Sequence, residues 1–178
     1  GDTVFVYAYS SPYYENLIVD KSISMIGEDK DTTVIEGDWV SEYVVEISAD
    51  WVNISGFTIR YGGEEWEATG ILSISNFNTI SGNNISNNDY YGIRLYYSSG
   101  NTITDNTISN YKYGIDLGGS SSNTITGNTI SNNKYGIYHS GSSSNNITDN
   151  TISNKLEGMF LFSSDNNNLL GNSFFNDA

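Results

Sequence analysis

Cysteine is absent from this chain of 178 residues, and proline and histidine occur once each, at Pro12 and His139. Without cysteine, the protein has neither a disulfide framework nor a thiolate metal site. This absence is compatible with any cellular compartment. The sequence also lacks an apolar run approaching the roughly 20 residues that cross a bilayer, so we expect no membrane insertion.

Basic residues are scarce, with 7 Lys and Arg against 21 Asp and Glu, which gives a formal net charge of −14 at pH 7. Nucleic-acid binding needs a basic surface that displaces counterions from phosphates, and this charge balance excludes it. The same argument excludes docking on anionic membranes. Most of the acidic residues lie in residues 1–69, before the most regular part of the sequence begins.

An internal repeat dominates the rest of the sequence. The segment "NTITDNTISN" begins at Asn101 and recurs as "NTITGNTISN" from Asn123, 22 residues later. Weaker copies begin at Val52, Asn78, Asn145 and Asn167. A regular repeat of this length indicates an array in which each unit stacks on its neighbours.

One repeat, residues 101–122, contains apolar residues that alternate with polar ones over short runs. This period of two predicts three short strands with one buried face, and the Asp, Asn and Gly residues between the runs predict tight bends. A single three-stranded coil cannot bury its inner face, so coils must stack with their strands in parallel, about 4.8 Å apart. The prediction is an all-β protein, a single-stranded parallel β-helix.

Stacking places equivalent residues of successive coils in columns. The predicted inner columns are apolar at almost every position: Ile54, Ile80, Ile103, Ile125, Ile147 and Leu169; Ile59, Ile85, Ile108, Ile130, Ile152 and Phe174; Ile71, Ile93, Ile115, Ile137 and Met159; and Leu95, Leu117, His139 and Leu161. Two sets of asparagines also recur at corners: Asn78, Asn101, Asn123, Asn145 and Asn167, and Asn83, Asn106, Asn128, Asn150 and Asn172. Stacked identical amides can bond to one another along the axis, so we expect two structural ladders.

The segment "GDTVFVYAYSSPYYENLIVDKSISMIGEDKDTTVIEG", followed by "VNISGFTI" and by units of the form "NTITxNTISNNxYGIxL", resembles the NosD-type family of parallel β-helix repeats. The resemblance covers essentially the whole chain. It implies a right-handed helix, and a secreted or cell-surface protein of archaea or bacteria. We therefore predict one domain, 1–178, with irregular acidic coils over 1–69 and regular coils over 70–178. Many activities use this scaffold, so the motif does not specify a function.

The family name implies copper, whose sites in proteins use His, Cys or Met ligands. This chain offers one histidine and two methionines, Met25 and Met159, which lie near opposite ends of the sequence. We therefore predict no metal site and no cofactor. His139 replaces an aliphatic residue in its column, and we interpret it as a core histidine rather than as a ligand or a catalytic group.

The outer face of the "YGIxL" strands carries the candidate binding site. By register it exposes a strip of aromatic and charged side chains: Arg94, Tyr96, Asp116, Tyr138, Phe160 and Phe162. Exposed aromatic strips stack on sugar rings or on partner surfaces, although tyrosine also simply suits β-structure. Tyr91, Tyr113 and Tyr135 lie at a corner, where the alternation does not predict whether a side chain points into the helix or out of it.

Catalysis has little support on this face. Glycosidases need two carboxylates about 5–9.5 Å apart. Asp116 is a single carboxylate next to Arg94, and a salt bridge between stacked coils explains that pair. We predict no catalytic residue.

Three other patterns suggest separate functions. The acidic loop "GGEEWEATG" places Glu64, Glu65 and Glu67 together, which is either a weak calcium site or a solvated loop. The "TIT" strands form outward threonine ranks of the kind that ice-binding solenoids use, but the ranks break in the outer coils. Asn53, Asn84 and Asn146 begin N-x-[ST] sequons at outward positions, so we predict that they can carry sugars in a host that glycosylates secreted proteins.

Two hypotheses about function follow from these observations. The first is a non-catalytic extracellular module of a microbial cell surface, structural or adhesive, which associates end to end with other copies and builds a filament. The alternative is a domain that binds or degrades polysaccharide. Possible partners are therefore further copies of the chain, polysaccharides or other surface proteins.

Overall fold

The repeat folds into a right-handed parallel β-helix of about eight coils, each with three strands and about 22 residues. The computed structural model describes residues 1–63, 68–109, 111–154 and 156–176. Apart from one 3₁₀ turn at Ala8–Ser10, the regular structure of these residues is entirely β. They include no helix that is both long and apolar enough to span a membrane. The predicted fold class is confirmed.

Three parallel sheets run along the axis, with strands numbered along the chain. The first sheet contains β1 (Asp2–Val6), β4 (Ile23–Gly27), β7 (Asn53–Ser55), β10 (Thr79–Ser81), β13 (Thr102–Thr104), β16 (Thr124–Thr126) and β19 (Asn146–Thr148). The second contains β2 (Tyr13–Tyr14), β5 (Val34–Glu36), β8 (Thr58–Arg60), β11 (Asn84–Ser86), β14 (Thr107–Ser109), β17 (Thr129–Ser131), β20 (Thr151–Asn154) and β22 (Ser173–Asn176). The third contains β3 (Leu17–Val19), β6 (Tyr43–Ile47), β9 (Thr69–Ser73), β12 (Tyr91–Tyr96), β15 (Tyr113–Gly118), β18 (Tyr135–Ser140) and β21 (Glu157–Phe162).

The register between coils builds the core. Ile80 pairs with Ile54 on one side and with Ile103 on the other, and the same in-register pairing continues through the regular coils. The predicted isoleucine columns have no solvent exposure between Ile54 and Ile152. In the last coil the column residues become exposed, with Leu169 at 45% and Phe174 at 55%. Burial of stacked β-branched side chains therefore accounts for most of the core.

Both predicted asparagine ladders form, and each is buried inside a corner. Asn106 donates from its backbone N–H and from its Nδ2 to Oδ1 of Asn128, both at 3.0 Å. Asn128 repeats the same two bonds with Asn150 in the next coil. The other ladder has the same geometry, since Asn101 donates to Oδ1 of Asn123 at 2.8 and 3.2 Å. The ladders hold corner backbone groups that the strands leave unpaired.

Two further ladders are present that the sequence analysis missed. Backbone N–H groups donate to serine hydroxyls along Ser98, Ser120, Ser142 and Ser164, at 2.8–3.1 Å. A mixed ladder joins Asn88 to the Tyr111 hydroxyl at 2.5 Å and the Tyr111 backbone to Asn133 at 3.0 Å. The 22-residue spacing of the serines is a signal in the sequence from which their ladder could have been predicted. The mixed ladder has no such signal, because a tyrosine interrupts the series of asparagines.

The bends adopt left-handed backbone conformations, as their residue types predicted. Asp105 and Asn132 have φ values of 56° and 58°, in the region that Asp and Asn tolerate. Aromatic residues were not expected there. Nevertheless Trp51 and Phe77, with φ values of 63° and 57°, occupy one of these corners.

Candidate functional site

A groove of about 480 Å³ opens on the outer face of the third sheet, where β12, β15 and β18 lie side by side. We call it the third-sheet groove. Its walls include six side chains: Tyr91, Arg94, Tyr96, Tyr97, Asp116 and Tyr138. Four of them belong to the strip that the sequence predicted, and the structure adds Tyr91 and Tyr97.

Small residues create the space. Gly118, Gly119 and Gly141 line the groove beside the tyrosines. A Cβ atom at Gly118 would lie 3.4 Å from the ring of Tyr96, so a larger residue there would fill the groove. Gly118 pairs with Tyr96 in the preceding coil. The opening therefore arises where a coil with a tyrosine at this position is followed by a coil with a glycine.

Arg94 lies inside the groove, close to one carboxylate and two aromatic rings. Its Nε lies 3.3 Å from Oδ2 of Asp116, the ion pair that the register predicted. Its guanidinium carbon lies 4.6 Å from the ring centre of Tyr91 and 4.8 Å from that of Tyr96. The guanidinium group therefore combines cation–π contacts to two rings with an ion pair to a buried carboxylate.

The predicted strip is less uniformly exposed than the alternation of strand residues implied. Asp116 is only 5% exposed, and its register neighbours in the adjacent coils are Arg94 and Tyr138. The ring of Tyr138 stacks on Phe160 with centres 5.1 Å apart and planes 8° apart, so these two rings cover one face of each other. Phe160 and Phe162 lie outside the lining of the groove, and Phe162 is 59% exposed.

The corner tyrosines, whose direction the sequence left open, turn towards one another. Tyr91 stacks on Tyr113 at 5.4 Å, and Tyr113 stacks on Tyr135 at 5.1 Å. Tyr91 is 9% exposed and the other two are half-buried. Tyr96 and Tyr97, in contrast, meet edge to face at 4.6 Å and are 42% and 73% exposed. The rings available to a ligand are therefore those of Tyr96 and Tyr97.

The groove offers aromatic rings, hydroxyl groups, one guanidinium and one carboxylate. Among the described residues that line it, Asp116 is the sole carboxylate. Glycoside hydrolysis uses two carboxylates on either side of the scissile bond. Tyrosine rings, tyrosine hydroxyls and a guanidinium are instead typical of a surface that stacks on sugars and bonds to their hydroxyl groups.

The other residues singled out in the sequence lie away from the groove. Asn53, Asn84 and Asn146 begin strands and pair with Thr79, Thr107 and Thr124 respectively, the predicted outward register. Glycosylation at these three positions stays a prediction. Glu64, Glu65 and Glu67 of the acidic loop fall outside the described residues.

His139 lies inside the helix, with no solvent exposure, between Leu117 and Leu161. Its Nε2 accepts a hydrogen bond of 3.2 Å from Nδ2 of Asn145, and its Nδ1 makes none within the described part of the chain. Burial lowers its pKa to about 4, and the backbone of Ser142 opposes this shift more weakly. His139 is a neutral core residue.

Comparison with known proteins gives one family and several structural relatives. The sequence model of the family described as "Periplasmic copper-binding protein (NosD)" matches residues 3–178. No curated protein matches the chain. One similar solved structure is the Dettilon tailspike protein, with a TM-score of 0.63 and 16% identity; the match covers 90% of this chain and 40% of that chain. Another is the enzymatically active domain of bacteriophage CBA120 tailspike protein 2, with a TM-score of 0.64 and 13% identity; the match covers 98% of this chain and 38% of that chain.

A pectin methylesterase from Yersinia enterocolitica is also similar, with a TM-score of 0.52, 12% identity, 94% of this chain covered and 85% of that chain. At these identities the likeness shows the fold alone. This chain spans about two fifths of the length of the two tailspike chains.

The residues present do not fit the copper named in the family description. His139 is enclosed in the core, and Met25 and Met159 lie on different sheets, five coils apart, about 24 Å along the axis. No cluster of three or more His, Cys, Asp or Glu residues suited to a metal ion occurs among the described residues. These donors cannot meet at one ion.

Proposed function

We propose that this chain, which belongs to the NosD family of parallel β-helix proteins, is a non-catalytic extracellular module that attaches to polysaccharide through the third-sheet groove. The observation that carries the proposal is the groove itself, with exposed Tyr96 and Tyr97 beside a guanidinium paired with Asp116. The names of the structural relatives support it, because a pectin methylesterase acts on a polysaccharide. An adhesive role at a microbial cell surface follows from such binding.

Removal of both exposed rings tests the proposal. We expect the Tyr96→Ala/Tyr97→Ala variant to lose at least about fivefold in affinity, since each lost aromatic contact is worth roughly 0.5–1.5 kcal/mol. The measurement is affinity electrophoresis in gels that contain β-glucan, mannan, galactan or polygalacturonate. The matched control is Tyr9→Ala/Tyr14→Ala, which removes two tyrosines that are 97% and 71% exposed and lie far from the groove.

Retardation of the wild type by at least one polymer, unchanged in the control and lost in the groove variant, supports the proposal. No retardation in any of the four gels, or equal retardation of both variants, would rule it out. The net charge of −14 opposes binding of polyanions, so we expect the neutral polymers to bind better than polygalacturonate.

End-to-end association of copies is a second candidate function. Leu161, Leu169 and Phe174 continue the inner columns but are 38%, 45% and 55% exposed. In such an assembly, a coil of a second copy stacked on these side chains would bury them.

The test of this second candidate is the mass of the protein in solution. We expect light scattering to show linear oligomers that grow with concentration, and Phe174→Lys to reduce them to monomers, because a charge would be buried in the contact. Thr129→Lys controls for the added charge, because Thr129 is an exposed residue of β17 in the interior of the second sheet, away from both end coils. Wild-type monomers at every concentration would contradict end-to-end assembly.

A further inference from the structure

Two aromatic residues form an exposed ridge on one corner of the helix. The rings of Trp51 and Phe77, from successive coils, stack with centres 4.7 Å apart and planes 14° apart. Trp51 is 67% exposed and Phe77 is 48% exposed. Water therefore reaches the apolar surface of two adjacent rings, and contiguous exposed apolar surface is a feature of binding sites.

The corner itself does not need aromatic residues. Both have positive φ values, a conformation that costs a bulky residue stability. In the following coils the same corner position is filled by residues with small side chains, and all have positive φ: Gly100, Ser122, Ser144 and Asn166. Stacking recovers part of the cost, but a small residue would avoid both the strain and the exposure.

The ridge lies at the same corner of the helix as the mouth of the third-sheet groove. The backbone N–H of Phe77 donates to the carbonyl of Ser99 at 3.1 Å, and the Phe77 ring covers Gly100, where a Cβ atom would lie 2.6 Å from it. Gly100 follows Tyr97 by three residues. Ile74, 46% exposed, directly follows β9 and is in line with Tyr96 of the next coil.

Five exposed side chains thus occupy one edge of three successive coils. We call them the corner strip: Trp51, Ile74, Phe77, Tyr96 and Tyr97. Four coil spacings, about 19 Å in total, separate the level of Trp51 from that of Tyr138 at the far wall of the groove. Because the contact points repeat about every 4.8 Å along the axis, an extended chain that follows the axis can contact several of them at once.

We propose that the corner strip extends the groove into a binding site for an extended, uncharged polysaccharide that runs parallel to the helix axis, with Trp51 and Phe77 as its distal subsite. This inference rests on the proposed function of the groove. The strip contains no charged side chain, and the net charge of −14 disfavours a polyanion. Flat apolar rings contact the C–H faces of sugars, and the axial direction brings successive sugars to successive coils.

The dependence of affinity on ligand length tests the proposal. The probes are oligosaccharides of two to eight residues prepared from β-glucan, mannan and galactan, measured by titration calorimetry. We expect Trp51→Ala to weaken binding of the octamer about fivefold to tenfold, the loss of one aromatic stacking contact, and to leave binding of the dimer unchanged. The Tyr96→Ala/Tyr97→Ala variant is expected to lose affinity at every length.

Trp39→Ala is the matched control. Trp39 is also exposed, also has a positive φ of 65°, and stacks on Tyr61 at 4.4 Å, but it lies on a different corner. Trp51→Gly is a second test variant, because glycine adopts positive φ without strain and so preserves the fold. Thermal unfolding of all variants verifies that they are folded.

An octamer affinity that Trp51→Ala and Trp51→Gly leave unchanged would overturn the distal subsite while the groove still binds. Equal losses for Trp39→Ala and Trp51→Ala would also overturn it, because the effect would not be specific to the strip. If the wild type binds no oligosaccharide of any length, the proposed function of the groove fails instead.

Discussion

Replacement of Asn128 with alanine is expected to destabilise the protein by about 3–5 kcal/mol, more than any single change on its surface. Oδ1 of Asn128 accepts the backbone N–H and the Nδ2 of Asn106. Its own Nδ2 donates to the carbonyls of Ile103 and Thr126 at 2.9 and 3.1 Å, and to Oδ1 of Asn150.

The destabilisation is large because the hydrogen-bond partners of Asn128 stay buried after the side chain is removed. Asn128 is 1% exposed, so water cannot take over the bonds that alanine cannot make. A buried donor or acceptor left without a partner costs about 1–3 kcal/mol. The loss also interrupts the ladder in its middle, where each amide orients the next.

Urea unfolding measures this prediction, with Asn146→Ala as the matched control. Asn146 lies on the outward face of β19, and its Oδ1 accepts one bond of 2.7 Å from Asn168, which is exposed. We expect this control to lose less than about 1 kcal/mol. Equal losses in the two variants would show that the ladder contributes no more than a surface hydrogen bond.

Replacement of His139 with leucine is expected to stabilise the protein at pH 7 by about 1–2 kcal/mol. Leucine is the residue at this column position in three other coils, at Leu95, Leu117 and Leu161. The substitution removes the buried Nδ1, which makes no hydrogen bond among the described residues. Asn145 loses one acceptor but still donates to Ser120 and to the next rung of the ladder.

The same substitution is expected to change how stability depends on pH. The pKa of His139 is about 4 in the folded protein and about 6.5 in the unfolded chain. As the pH falls below 6.5, the unfolded chain takes up a proton that the folded protein excludes. The wild type therefore has its full stability above pH 6.5 and loses about 3 kcal/mol between pH 6.5 and 4, a loss that the leucine variant avoids.

The check is the difference in unfolding free energy between the two proteins at several pH values from 4 to 7.5. Carboxylates also titrate in this range, but they are common to both proteins and cancel in the difference. Because the chain has no other histidine, the remaining pH dependence belongs to His139. Parallel curves would contradict a buried, neutral imidazole.

The fold could be predicted from the sequence because a parallel solenoid makes distance along the chain equivalent to distance along the axis. Residues 22 apart lie directly above one another, so the repeat identified the columns of Ile103 and Ile108 and both asparagine ladders without any structure. The same register predicted the pair of Arg94 and Asp116. Each of these contacts joins equivalent positions of neighbouring coils.

Only the tertiary structure decided how side chains pack where neighbouring coils carry different residues at equivalent positions. The groove exists because Tyr96 in one coil faces Gly118 in the next. Asp116, which strand alternation had placed outward, is buried between Arg94 and Tyr138 of the neighbouring coils. At the corners, left-handed residues break the alternation, so the exposure of Trp51 and Phe77 could not be derived from it. The repeat therefore determined the core, where equivalent residues of neighbouring coils pack on one another. Packing between unlike side chains determined the surface on which a ligand would bind.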